Sequence, residues 1–206
     1  MQSDNPPAAA PLTFTDRMRA QSKGAVETVA GFFNRAGVTP DAMTLLGLMG
    51  ATVGAVILAL GAIPLGGGVI LLSGLTDALD GTMARLRGKT TRFGAFLDST
   101  MDRFSELFIF GGLAVYFGFA SDVLGVAVTF AAAIGSVMVS YTKARAEALG
   151  FECKIGLLTR MERYMVLCPL LILNLPFPAA AAVALLANFT ALQRIGHVYR
   201  QSRRDA

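Results

Sequence analysis

An apolar run without a charged side chain, from Ala42 to Ala62, is the feature that most constrains the fold of this chain. A helix of about 20 apolar residues crosses the hydrocarbon core of a bilayer, and this run is long enough to do so. The composition agrees, because 54% of the residues are hydrophobic and only 16% are charged, whereas an ordinary soluble domain carries about 25% charged residues. The chain has to bury its apolar surface in lipid, and we predict an all-α integral membrane protein.

Turn residues and charges divide the chain after residue 37 into six predicted membrane spans. Pro40 or Asp41 starts the first span, and Pro169 is expected to kink the fifth. The predicted spans are 42–62, 69–86, 92–118, 123–141, 160–175 and 179–198. Short turns are predicted at 63–68, 119–122 and 176–178, and a polar-edged loop at 151–159.

The segment before the spans is predicted to form an amphipathic juxtamembrane helix. Thr13 is its expected N-cap, with Asp16 three residues later. Phe14 and Phe32 belong to an apolar set at helical spacing, which is typical of a helix lying on a membrane surface; packing on the protein's own core is the alternative. The predicted units are a disordered segment 1–12, the surface helix 13–36, a six-helix domain 37–201 and a basic tail 202–206.

The distribution of positive charge predicts the orientation of the spans. With six spans, all 18 Lys and Arg residues fall on one side of the membrane or in helix ends that face it, and Asp122 is the one charged residue in the opposite turns. Because basic loops stay in the cytosol, both termini are expected to face the cytosol in a multi-pass protein of the cytoplasmic (inner) membrane. Cys153 and Cys168 lie near a cytosolic loop and inside an apolar helix, so no disulfide is expected.

One acidic pair ends the second predicted span and another begins the third. Residues three or four apart share a helix face, and Gly88 with the polar run 89–91 forms the predicted turn between the two helices. Folding this hairpin brings four carboxylates together, and such a cluster needs cations between its members. One or two hard divalent ions, Mg²⁺ foremost, suit oxygen ligands; helix-capping or solvated acids are the alternative. The acids are Asp77, Asp80, Asp98 and Asp102.

The residues around these acids resemble the complete signature of the CDP-alcohol phosphotransferases. That family moves a phospho-group from a CDP-linked lipid or alcohol to a hydroxyl acceptor and releases CMP. The resemblance implies a homodimer that uses two Mg²⁺ ions, with Mn²⁺ as an alternative. The four acids would ligate the metal, and Asp102 would also be the catalytic base. The matching positions are Asp77, two residues, Asp80-Gly81, two residues, Ala84-Arg85, eight residues, Gly94, three residues, Asp98, three residues and Asp102.

The resemblance also implies a site for the nucleotide of the CDP-lipid. Arg85 is expected to reach a phosphate, and a cytosine ring would lie against the backbone of Gly81. Asp41 and Thr44 resemble a short polar motif that contacts the nucleotide in relatives, although Asn is frequent at the position of Asp41 and a plain helix cap is its alternative role. The predicted nucleotide and CDP-lipid residues are Asp41, Thr44, Gly81, Ala84, Arg85 and Gly94.

Cations at the ends of the last three spans point to the acceptor. A neutral alcohol would not need them, whereas a phosphorylated one would, because Lys and Arg are the usual phosphate binders. The stretch 140–147, SYTKARAE, is similar to bacterial phosphatidylinositol-phosphate synthases, which use inositol 1-phosphate. A basic flank that binds lipid headgroups is the alternative. The predicted acceptor-phosphate residues are Ser140, Lys143, Arg145, Arg163 and Arg194.

Three functions compete at this point. The first is Mg²⁺-dependent transfer of the phosphatidyl group from CDP-diacylglycerol to inositol 1-phosphate, which gives phosphatidylinositol phosphate and CMP. The second is a phosphatidylglycerol-phosphate synthase that uses glycerol 3-phosphate, and the third is a divalent-cation transporter, which the position of the acids toward one face disfavours. Membrane lipids are expected partners and nucleic acid is not.

Two further residues have no assigned role in these functions. Glu106 has two predicted roles, pairing with Arg103 or orienting a ligand. His197 is expected to lie at the membrane interface.

Overall fold

The structure of this chain is a computed structural model that describes residues 14–88, 90–153, 155–156 and 159–203, with side chains from residue 24 onward. Every regular element in these ranges is a helix, which confirms the predicted all-α class. The segment 1–12, the predicted cap Thr13 and the last residues of the basic tail lie outside the described ranges. The helices are α1 (Phe14–Arg35), α2 (Pro40–Ala59), α3 (Ile63–Leu86), α4 (Arg92–Phe119), α5 (Val123–Ala148), α6 (Arg160–Ile172) and α7 (Pro176–Ser202).

Four of the described helices, α2, α3, α5 and α7, are long and apolar enough to cross a membrane. Helix α4 carries the second acidic pair and further charges. Helix α6 has 13 residues, fewer than the about 20 that cross a bilayer. The chain therefore has several helices of membrane-spanning character, and the count of six spans stays a prediction.

Two predicted turns are wrong, because residues 63–68 and 176–178 lie within the first turns of α3 and α7. In each helix a proline occupies the first or second position, where its missing N–H needs no partner and its fixed φ suits the helix. The chain turns just before these positions, at Gly61 with φ of 87° and at Asn174 with φ of 59°. Glycine adopts this left-handed region freely, and Asn enters it more readily than most residues.

The core forms where α2 packs against α3 and α4, and where α5 packs against α7. Small residues bring α2 close to both of its neighbours. A Cβ on Gly54 would lie 2.5 Å from Ile70 Cγ1, and one on Gly112 would meet the carbonyl oxygen of Ala55. Close approach of this kind holds helices together in lipid, where burying apolar surface gives little driving force. Helix α2 thus sets the positions of α3 and α4, the two helices that carry the acids.

The C-terminal part of α1 is attached to the end of α3. Asn34 Nδ2 donates to the carbonyl of Met83 at 3.2 Å, and Arg87 donates to Asn34 Oδ1 at 2.7 Å and to the carbonyl of Val38 at 2.6 Å. Ala30 is buried, whereas the side chain of Phe32 is 66% exposed. Helix α1 therefore packs on the protein along one side and presents apolar side chains outward along another. Its placement on a membrane surface stays a prediction.

The close contact between α2 and α4 predicts a specific sensitivity at Gly112. Gly112→Ala should destabilise the protein by roughly 1–3 kcal/mol, the usual range for overpacking, because the new methyl group meets the backbone of Ala55. The measurement is the thermal midpoint of unfolding in detergent. Gly111→Ala is the matched control, since a Cβ there has nothing within 4 Å and alanine favours a helix by up to about 1 kcal/mol. Equal stability of the two variants would contradict the packing described for α2 and α4.

Candidate active site

The two acidic pairs meet where α3 ends and α4 begins. Gly88, with φ of 62°, ends the turn that follows α3. Thr91 then caps α4, because its Oγ1 accepts a hydrogen bond from the Gly94 N–H at 2.9 Å. This short return reverses the chain, and α2 packs against both α3 and α4, so that the acids of the two helices come together. One carboxylate oxygen from each of Asp77, Asp98 and Asp102 lies within 4.8 Å of the others.

Asp80, the fourth acid, is held differently from the other three. Its carboxylate is buried at 6% exposure and accepts hydrogen bonds from Thr44 Oγ1 at 2.7 Å and from the Gly81 N–H at 2.5 Å. Thr44 belongs to α2, so this contact ties the first acidic pair to a third helix. Asp80 thereby links the cluster to the start of α2.

Arg160, at the start of α6, reaches into the acid cluster. Its Nη1 lies 2.6 Å from Asp77 Oδ1 and 2.6 Å from Asp102 Oδ1. Its guanidinium carbon lies 5.2 Å from the centre of the Tyr164 ring, within the range of a cation–π contact. Neither Arg160 nor Tyr164 is among the site residues predicted from the sequence. The sequence offered one indication of this contact: Arg160 begins the fifth predicted span, on the same side of the membrane as the acids.

The donor set suits a divalent cation that prefers oxygen ligands. Asp77, Asp98 and Asp102 converge through carboxylate oxygens alone, which is the ligand chemistry of Mg²⁺, Ca²⁺ and Mn²⁺. Asp98 Oδ1 is buried and has no hydrogen-bond partner among the residues that the structure describes. A buried charged oxygen of this kind is costly unless a cation or donor meets it. The residues therefore fit a metal site.

A cavity of about 470 Å³ opens beside the acid cluster, between the starts of α2 and α4 and the end of α3. We call it the polar cavity because most of its lining residues are charged or carry a hydroxyl group. Thr39 is the N-cap of α2, since its side chain accepts from the Ala42 N–H, so the alternative role of Asp41 as the cap is wrong. A Cβ on Gly94 would lie 3.3 Å from Asp41 Oδ1, so this glycine lets α4 approach α2. Six predicted nucleotide residues line the cavity together with two of the acids: Asp41, Thr44, Gly81, Ala84, Arg85 and Gly94, with Asp80 and Asp98.

An apolar cavity of about 280 Å³ lies on another side of the cluster, between α3 and α6. Asp77 and Arg160 form its polar end. The rest of its lining is apolar or aromatic: Leu71, Gly74, Leu75, Met161, Tyr164, Met165 and Pro169. The acid cluster thus borders a polar cavity and an apolar one.

Three of the predicted acceptor residues lie near the end of α5. Ser140 is half-buried, and Lys143 and Arg145 are exposed. Lys143 Nζ lies 3.8 Å from Glu147 Oε1, with both side chains about half exposed.

The other two predicted acceptor residues are buried. Arg163 donates to Glu106 Oε1 through Nη2 at 2.6 Å and through Nε at 3.2 Å. Arg194 donates to the carbonyls of Val139 and Ile155. Each of the two guanidinium groups is therefore bound to protein groups. Glu106 pairs with Arg163 and not with Arg103, so the first of its two predicted roles is wrong; its role in orienting a ligand stays a prediction.

Comparison with known proteins identifies the family. A family model described as CDP-alcohol phosphatidyltransferase matches residues 37–193. The chain belongs to the CDP-alcohol phosphatidyltransferase family. It is 40% identical over 157 residues to phosphatidylinositol phosphate synthase of Cutibacterium acnes, an alignment that covers 73% of this chain and 74% of that protein.

Two crystal structures of Mycobacterium tuberculosis phosphatidylinositol phosphate synthase share the fold. The structure with CDP-DAG bound has a TM-score of 0.76 at 33% identity and covers 84% of this chain and 93% of that chain. The complex with manganese and citrate has a TM-score of 0.79 at 33% identity and covers 84% and 88% of the two chains. This CDP-alcohol phosphatidyltransferase is accordingly a membrane enzyme of phospholipid biosynthesis.

The metal site of this phosphatidyltransferase predicts a measurable loss when one ligand loses its charge. Asp98→Asn should weaken Mn²⁺ binding by at least about 10- to 100-fold, the loss typical even for residues that only support metal ligands. Isothermal titration calorimetry in detergent measures the affinity. Glu147→Gln, which neutralises an exposed carboxylate of α5, is the control and should bind Mn²⁺ as wild type does. Wild-type affinity in Asp98→Asn would contradict the assignment of Asp98 to the metal site.

Proposed function

We propose that this enzyme transfers the phosphatidyl group of CDP-diacylglycerol to inositol 1-phosphate and releases CMP. One observation carries the donor half of the proposal: the acid cluster lies between a polar cavity of about 470 Å³ and an apolar cavity of about 280 Å³. A CDP-lipid has the same order of parts, with a nucleotide at one end, a charged pyrophosphate in the middle and acyl chains at the other end.

The nucleotide of the donor occupies the polar cavity in this proposal. Its volume lies in the range of about 300–1,000 Å³ that is usual for small-molecule sites. Gly81 offers backbone without a side chain, and Arg85 supplies a positive charge beside the phosphates. The acyl chains extend along the apolar cavity between α3 and α6 toward lipid. The related mycobacterial enzyme was crystallised with CDP-DAG bound, which supports this donor.

Asp77, Asp80, Asp98 and Asp102 would hold two Mg²⁺ ions, with Mn²⁺ as an alternative. The manganese in the related structure supports a divalent site in this fold. Bound ions supply positive charge that offsets the pyrophosphate and the charge developing on the leaving CMP. The carboxylates of this chain fix where that charge lies, because α2, α3 and α4 pack closely around them.

Asp102 acts as the general base. It accepts the proton of the acceptor hydroxyl while that oxygen forms a bond to the β-phosphorus. The bond from this phosphorus to the oxygen shared with the α-phosphate breaks, and CMP leaves with that oxygen. A carboxylate beside cations is a weak base, so the positioning of the hydroxyl contributes more to the rate than basicity does.

The acceptor phosphate binds the cations of α5, α6 and α7. Arg163 and Arg194 are two buried guanidinium groups, and arginine is a usual binder of phosphate groups. Ser140, Lys143 and Arg145 add one hydroxyl and two charges from the end of α5. The named relatives are phosphatidylinositol phosphate synthases, which supports inositol 1-phosphate over glycerol 3-phosphate.

The membrane arrangement is part of the same proposal. Helices α2 to α7 form six spans, with α1 on the membrane surface and with both termini and the active site facing the cytosol. The basic residues near the acid cluster support this orientation in the cytoplasmic membrane. The family resemblance supports a homodimer.

A panel of acceptors tests the proposed reaction. The protein, reconstituted with CDP-diacylglycerol and Mg²⁺, should release CMP with inositol 1-phosphate, and free inositol should be about 10- to 150-fold poorer, since a charge-assisted contact contributes roughly 1.5–3 kcal/mol at 1.4 kcal/mol per decade. Asp98→Asn is the inactive control. Greater efficiency with glycerol 3-phosphate would favour the phosphatidylglycerol-phosphate synthase. Mg²⁺ flux into vesicles without CMP release would favour the transporter.

Two substitutions should separate the donor site from the acceptor site. Gly81→Leu should raise the KM for CDP-diacylglycerol by filling the polar cavity, whereas Lys143→Gln should lower acceptor efficiency by about 10- to 150-fold and leave the donor KM unchanged. Lys143 is a sharper choice than Arg163, because removing Arg163 would leave the buried Glu106 without its partner. Steady-state kinetics with one substrate varied against a saturating partner measures both constants.

Matched controls exist for both changes. Gly68→Leu lies on the same helix as Gly81, at a position with nothing within 4 Å of a Cβ, and Arg203→Gln removes an exposed cation at the end of α7. Both should behave as wild type. An increase in donor KM in Lys143→Gln would mean that this cation serves the pyrophosphate instead of the acceptor.

A further inference from the structure

Arg160 binds two of the carboxylates that form the metal site. Its Nη1 lies 2.6 Å from Asp77 Oδ1 and from Asp102 Oδ1, and both residues belong to the group whose oxygens converge within 4.8 Å. One nitrogen atom therefore bridges the end of α3 and the beginning of α4. In this position the guanidinium offsets part of the negative charge of the cluster.

A divalent cation at these carboxylates would lie very close to this guanidinium. Mg²⁺ binds oxygen at about 2.0–2.1 Å, so an ion on Asp77 and Asp102 would lie a few ångströms from Nη1. Two cations at such a separation repel strongly when the surroundings are of low dielectric constant. Joint occupancy of the same two carboxylates is therefore unfavourable.

The remaining contacts of Arg160 allow it to leave the carboxylates. Its Nε is buried without a hydrogen-bond partner among the described residues, so the two acids provide its main polar attachment. The Tyr164 ring lies 5.2 Å from the guanidinium carbon, and a cation–π contact of this kind contributes little compared with the two carboxylates. Arg160 also lines the apolar cavity of about 280 Å³, which gives the displaced side chain room without any change in α6.

We propose that Arg160 and the divalent cation exchange at the acid cluster. Arg160 is the internal counter-ion of Asp77 and Asp102, and binding of the cation drives its guanidinium off these carboxylates toward the cavity between α3 and α6. The inference rests on the metal site of the proposed function. It makes Arg160 a positioning residue that keeps the mutually repelling acids of α3 and α4 together and lowers the affinity of the site for the ion.

The test compares Mn²⁺ affinities of the full-length protein in detergent after divalent ions have been removed by chelation. A bound group that opposes a second one typically changes its affinity by about 5- to 150-fold, so Arg160→Gln should bind Mn²⁺ tighter than wild type by a factor in that range. Arg103→Gln is the matched control, because Arg103 Nη1 lies 3.8 Å from Asp102 Oδ2 and its side chain is 37% exposed. Its effect should be about fivefold at most and smaller than that of Arg160→Gln in the same titration.

Thermal melting provides a second readout that does not depend on turnover. In chelator, Arg160→Gln should melt below wild type, because its acids repel one another without a counter-ion, and it should gain more than wild type when Mn²⁺ is added. If Arg160→Gln can be purified only with Mn²⁺ present, that dependence also supports the proposal, because it shows that the variant needs the cation in order to stay folded. Arg160→Lys keeps the charge and should bind Mn²⁺ more weakly than Arg160→Gln.

Equal or weaker Mn²⁺ binding by Arg160→Gln, or an effect no larger than that of Arg103→Gln, would overturn the exchange. Absence of Mn²⁺ binding in wild type and variant alike would overturn the metal site together with the exchange. The proposed reaction fails on a different observation, namely no CMP release with any acceptor of the panel. The two failures are therefore distinguishable.

Discussion

Mutual repulsion among four carboxylates is the constraint on which the rest of this structure depends. Asp77 and Asp80 end one helix and Asp98 and Asp102 begin the next, within a protein whose helices are otherwise mostly apolar. Charged groups in such surroundings are costly and persist when they are paired or functional. Three of the four acids are accordingly met by a specific partner, Thr44 at Asp80 and Arg160 at Asp77 and Asp102. Asp98 Oδ1 is buried without a hydrogen-bond partner among the described residues.

Close helix packing keeps these four like-charged carboxylates in position. Gly54 and Gly112 bring α2 against its neighbours at backbone distance, and α2 thereby fixes α3 and α4 relative to each other. On the far side, α6 contributes two successive contacts to α4, from Arg160 to Asp102 and from Arg163 to Glu106. The second contact is buried, at 4% and 5% side-chain exposure, and removing one partner of such a pair costs about 3–5 kcal/mol. The geometry of the cluster is therefore set from both sides of α4.

The two cavities beside the cluster differ in their lining, and in the proposed function each binds a different part of the donor. A polar cavity formed by the ends of α2, α3 and α4 suits the head of a nucleotide lipid, and an apolar cavity between α3 and α6 suits its tails. Membership of the CDP-alcohol phosphatidyltransferase family agrees with this division. In the proposed reaction the bond that breaks lies where the two cavities meet, so that binding energy from both ends of the donor contributes to positioning the phosphates.

The amino-acid sequence by itself determined the all-helical class of the protein and named the four acids that meet at the ends of α3 and α4. The apolar runs require helices in lipid, and the spacings from Asp77 to Asp80 and from Asp98 to Asp102 put each pair on one helix face. Local periodicity was enough for the helices and for the two acidic pairs. The six predicted nucleotide residues came from the family resemblance, and they line one cavity because α2 packs against both α3 and α4.

The tertiary structure alone decided which side chains from distant helices meet. Arg160 reaches the acids and Glu106 pairs with Arg163 across 57 positions of sequence, because α6 packs against α3 and α7 and this packing fixes which of its side chains point toward α4. The helix starts at Ile63 and Pro176 were likewise missed, because proline ends a helix in one context and begins one in another. For Arg160 and for the Glu106–Arg163 pair, the deciding interaction lies between parts of the chain that no local pattern connects.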